Sequence, residues 1–108
     1  MSAKSRFLRY ASLLSKKDFI RAKRFVQKTY CFSWGDILDI LISKRMDLLN
    51  WGEIEILEVK VMGKWARKII FTSGERKYQA MVIKENRAYH PSRWGQWGVN
   101  PDSIREID

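Results

Sequence analysis

The chain has 108 residues, 45% hydrophobic and 31% charged, which is the length of one domain with an ordinary globular composition. It has no apolar run near the ~18 residues of a membrane span, and its first residues do not read as a signal peptide, so no membrane span is expected; the lone cysteine, Cys31, favours a reducing, cytoplasmic compartment. Its 21 Lys and Arg against 12 Asp and Glu give a net charge of +9, a balance that suits a nucleic acid, an anionic membrane surface or an acidic protein partner.

Residues 4–14 read as a short helix, with Phe7, Tyr10, Ala11 and Leu14 on one face and Arg6, Arg9 and Ser12 on the other. Ser15, followed three residues later by Asp18, reads as the cap of a second helix over 16–30. In that helix Phe19, Ala22, Val26 and Tyr30 share one face, while Lys17, Arg21, Arg24 and Lys28 line the opposite one. No acid interrupts the run from Phe19 to Ser33. Solvated faces usually mix signs, so a stripe of one sign is a candidate phosphate contact.

The stretch SWGDILDILISKRMDLLNW, residues 33–51, is helix-periodic and apolar over most of its circumference. Asp36, Asp39, Ser43, Asp47 and Asn50 form its narrow polar stripe. Ser33 and Asp36 suit its N-terminus, and Trp51-Gly52 suits a C-terminal glycine cap. A helix this apolar must be covered, so it is expected to be the central core helix.

After Gly52 the period changes to that of strands. Residues 53–62 alternate with a phase slip at Ile56-Leu57, which suggests a bulge or a strand covered on both faces. Gly63-Lys64 fits a two-residue turn with glycine first. Residues 65–72 and 76–85 read as two further strands, the last with Tyr78, Ala80 and Val82 on one face, and Ser73-Gly74-Glu75 turns between them. Lys64, Arg67, Lys68, Arg76, Lys77 and Lys84 crowd strands two and three, whereas Glu53, Glu55 and Glu58 lie on the first. From residue 86 onward, His90-Pro91, Asn100-Pro101 and two glycines read as loop, with a short helix starting near Asp102 or Ser103.

The combination that points to function is cations interleaved with rings. Lys and Arg meet phosphates, and unpaired bases stack on flat side chains. Arg93-Trp94 with Trp97, beside Tyr89 and His90, fits a stacking platform; the competing reading has both tryptophans folded back over the open face of the sheet. A helix-turn-helix reading fails, because the second helix of the pair, 33–51, carries an acidic stripe that phosphates repel.

Glu58-Val59-Lys60 resembles the E-x-K element of the PD-(D/E)xK nucleases, which would imply Mg²⁺ held by acids. No Pro-Asp precedes it, and it falls on the first strand rather than after a hairpin. His90 with Tyr89 and Arg93 is a second nuclease reading, without a visible partner base. No metal-ligand spacing, phosphate-binding glycine loop or nucleophile elbow occurs. Four of the five tryptophans precede glycine, a pattern similar to Argonaute-binding hooks, although those hooks work from disordered segments.

The expected fold is α+β: three N-terminal helices (1–51) packed on a three-stranded antiparallel β-meander (52–86), with an aromatic-rich C-terminal segment (87–108), all in a single domain. The expected function is non-catalytic nucleic-acid binding, to DNA or RNA, in an accessory or regulatory protein. Its contacts are Lys17, Arg21, Arg24, Lys28, Arg67, Lys68, Arg76, Lys77, Arg93 and Trp94, with no catalytic residue, metal or cofactor. The alternatives are an inhibitor or assembly factor docking on an acidic protein, and a small nuclease using Glu58 and Lys60 or His90.

Overall fold

The computed structural model describes residues 1–29, 50–86 and 90–107. The expected core helix over 33–51 lies outside the described residues but for its last two positions. Among the described residues the elements are helix α1 (Ala3–Ser15), a one-turn helix α2 (Phe19–Ala22) and 3-10 turns at Lys23–Phe25 and Trp51–Glu53. Strands β1 (Ile54–Gly63), β2 (Ala66–Ser73), β3 (Arg76–Glu85) and β4 (Gln96–Glu106) complete them. The strands form one antiparallel sheet in the order β1-β2-β3-β4. The class is mixed α+β, but the sheet has four strands, and the expected arrangement of three helices on three strands is not what forms.

α1 forms where its apolar positions recur at helical spacing. Ser2 caps it, the side-chain oxygen accepting from the Ser5 amide at 3.1 Å. Its end is a Schellman turn. The Lys17 and Asp18 amides donate to the Leu14 and Leu13 carbonyls, both at 2.9 Å, and Lys17 takes the left-handed conformation at φ +57°. Phe7, Tyr10, Ala11 and Leu14 are buried against the sheet with Trp51, Phe71, Tyr78, Val82, Val99 and Ile104. Phe7 and Phe71 meet at 4.9 Å between centroids, and Phe71 stacks on Tyr78 at 5.7 Å.

The second helix is corrected. It is capped by Asp18, whose carboxylate accepts from the Arg21 amide at 3.2 Å, rather than by Ser15. It also stops early, because Val26 is extended (φ −84°, ψ 147°) and bridges to Val99 in parallel. The Gln27 amide donates to the Val99 carbonyl at 2.8 Å, so a bond to the edge of β4 replaces the helical one. Gly98 makes this possible: a Cβ there would lie 2.5 Å from the Gln27 Cα.

The C-terminal segment is the other correction, since 96–106 is a full strand rather than a loop ending in a short helix. Asn100-Pro101 falls where the pairing with β3 jumps, from Met81↔Asn100 to Gln79↔Arg105. Proline is tolerated at such a bulge because no ladder donor is required. The slip in β1 is a bulge as expected, between Ile56 and Glu58. The β1–β2 turn is displaced by one residue: Gly63 pairs with Ala66, which leaves Lys64 and Trp65 as the loop. Gly52 lies within the 3-10 turn and not at a left-handed helix cap.

Candidate nucleic-acid interface

Strand alternation divides the basic residues of the sheet. Arg67 pairs with Val82 and Arg76 with Ser73, which puts both on the face that α1 covers. Lys68 and Lys77, paired with Met81 and Thr72, belong to the opposite face together with Lys60 and Arg105. The four sheet cations therefore do not make one patch. Arg67 turns back on its own hairpin, donating to the Gly63 carbonyl at 2.7 Å and the Ala66 carbonyl at 2.9 Å. Arg76 reaches Glu106 at 3.6 Å in an exposed pair. The stripe on 16–30 is also dissolved: Lys17 sits in the Schellman turn, Arg21 on α2, Arg24 in the 3-10 turn, and Lys28 beyond the extended residues.

Two of these residues nevertheless converge with one that the helical periodicity of α1 placed elsewhere. Arg21 and Arg24 line a cleft of about 240 Å³ with Arg9, Leu13 and Phe25. Three arginines from three elements thus border one space, together with Phe25 and Leu13. All three arginines are exposed; Arg21 also meets Asp18 at 3.5 Å, an i,i+3 surface pair that costs little to rearrange.

Arg6 builds this arrangement from beneath. Its Nε donates to the Trp97 carbonyl and its terminal nitrogen to the Arg24 carbonyl, both at 2.8 Å, while the guanidinium lies 4.3 Å from the Phe25 centroid. It ties α1 to β4 and to the 3-10 turn that carries Arg24. Burial lowers the Arg6 pKa from its ordinary value, because desolvation disfavours the charge.

A second cleft, of about 300 Å³, begins on the other side of Arg6 and is lined by Met1, Lys84, Gly95, Gln96 and Trp97 as well. Trp97 is only 9% exposed, and cations lie over its ring: Arg67 at 4.9 Å and Lys84 at 5.7 Å. It is a core residue with a charged cover. Trp94, by contrast, is 80% exposed, with Arg93 at 4.7 Å from the centroid. The Trp94 amide donates to the Ser92 side chain at 3.2 Å, which fixes the backbone of this tip.

The nuclease residues are placed as follows. Glu58 and Lys60 are exposed on the outer strand β1. His90 is exposed, and its backbone closes a loop with Asn86; Tyr89 lies outside the described residues. Among the described residues no group of three or more His, Cys, Asp or Glu is placed to hold a metal ion, and no helix is long and apolar enough to cross a membrane. Compared with protein-family models, curated proteins and solved structures, the chain matches none.

Proposed function

We propose that this protein is a non-catalytic nucleic-acid-binding protein, with Arg9, Arg21 and Arg24 as the phosphate seat and Trp94 as a surface on which an unpaired base stacks. The observation that carries the reading is the cleft itself. Guanidinium groups are forks suited to phosphate oxygens, and three of them converge here from α1, α2 and the 3-10 turn. The net charge of +9 supplies a long-range field that draws a polyanion to the surface. Gly95, next to Trp94, lines the second cleft together with Arg6 and Lys84, two further cations.

The experiment is fluorescence anisotropy of labelled single-stranded RNA, single-stranded DNA and duplex DNA, at about 50 and 200 mM salt where phosphate contacts weaken visibly. Mg²⁺ is included and the products are run on a gel. The expected result is salt-sensitive binding with intact oligonucleotide, and a preference for single strands that Trp94→Ala removes. Shortened product makes the protein a nuclease instead. No binding at the lower salt leaves the arginine cleft as a docking surface for an acidic protein, with Trp94 as its anchor.

A further inference from the structure

We infer that β1 is a self-association edge: two copies of the chain join antiparallel along Ile54–Gly63 and extend the sheet across the interface. β1 is an outer strand of the sheet, and among the described residues its far side has no partner strand. It is ten residues long and contains no proline. Its apolar side chains are unusually open for a strand: Leu57 is 50% exposed, Val59 37%, Val61 71% and Met62 50%. An edge with exposed apolar side chains and no partner strand among the described residues is a template for another strand.

The sequence of this edge says which strand fits. In an antiparallel pair centred on Val59, Glu58 of one copy faces Lys60 of the second and Lys60 faces Glu58, two opposite-charge pairs related by the twofold axis. Val59 then lies beside its own copy on the other face. Moving the centre by one residue sets Glu58 against Glu58, or Lys60 against Lys60, so like charges exclude the neighbouring registers. Glu58 through Val61 pair with Ile70, Ile69, Lys68 and Arg67 without a break, so this part of the edge is regular between the two irregularities of β1. Glu53, Glu55 and Glu58 also gather on or beside this strand, in a chain of net charge +9. Lys60, which on a solitary edge deters pairing, becomes half of the recognition code.

The test is sedimentation equilibrium on the full chain over a concentration series, with circular dichroism as a check on folding. Wild type is expected to form a dimer. Lys60→Glu or Glu58→Lys alone converts two opposite-charge pairs into two like-charge pairs and should weaken the dimer roughly tenfold or more. Glu58→Lys combined with Lys60→Glu restores opposite charges by symmetry and should restore the dimer, which a general effect of net charge would not. A wild type monomeric throughout the series overturns the inference. So does a dimer that either single reversal leaves intact, or a double variant no better than the singles.

Discussion

The two edges of the sheet are built in opposite ways. At the β4 edge Val26 bridges to Val99 and the Gln27 amide donates to its carbonyl, Gly98 lets them approach, and Pro101 removes a donor at the bulge. At the β1 edge the side chains are mostly exposed, and the described residues provide no covering strand. The difference shows two treatments of a sheet edge in one fold: one is met by the chain's own backbone, the other by no described residue. Closing the β4 edge bends the chain after α2, and that bend holds Arg21 and Arg24 opposite Arg9. None of the residues that line the arginine cleft lies on β1, so the proposed phosphate seat and the proposed dimer edge are separate.

The closed edge is broken most directly at Gly98. Gly98→Ala drives a Cβ into the Gln27 backbone and should cost about 3 kcal/mol, the upper range for overpacking, read from a denaturant melt. Arg6→Ala removes two hydrogen bonds from a part-buried cation and should cost about 2 kcal/mol. It also loosens the 3-10 turn, so oligonucleotide affinity should fall although the three exposed arginines are untouched. Arg6→Lys should recover little of either, since an ammonium lacks the fork that reaches both carbonyls. Lys17→Gly relieves the left-handed residue of the Schellman turn and should raise stability by about 0.5–1 kcal/mol in the same melt. At the open edge the contrast sharpens: Lys60→Glu should change the stability of the monomer by no more than about 0.5 kcal/mol, because nothing in the described fold leans on that side chain.

Three strands were legible in the sequence because alternation and the turn glycine agree there; Gly74, at φ +62°, sits in the turn before β3. α1 was legible for the same reason, one apolar stripe at helical spacing. The fourth strand was not, since Asn100-Pro101 is a breaker in any local reading and becomes permissible only when a bulge against β3 receives it. The spacing of Lys17, Arg21, Arg24 and Lys28 suited a helix well, but the pairing of Val26 with Val99, 73 positions apart in sequence, overrode it. The candidate interface was half visible for that reason. Arg21 and Arg24 stood out as a run without acids, whereas Arg9 showed only as the polar side of α1, and the part played by Arg6 depends on carbonyls that no local pattern brings near it.

The measurement that tests the central claim most directly is the salt dependence of oligonucleotide binding for wild type and for Arg9→Gln/Arg21→Gln/Arg24→Gln, at matched folding stability. Each lost phosphate contact removes roughly 0.7–0.9 from the log–log slope, so the triple variant is predicted to lose about two units of slope along with most of its affinity. A triple variant with the wild-type slope would contradict the account and move the phosphate contacts off this cleft.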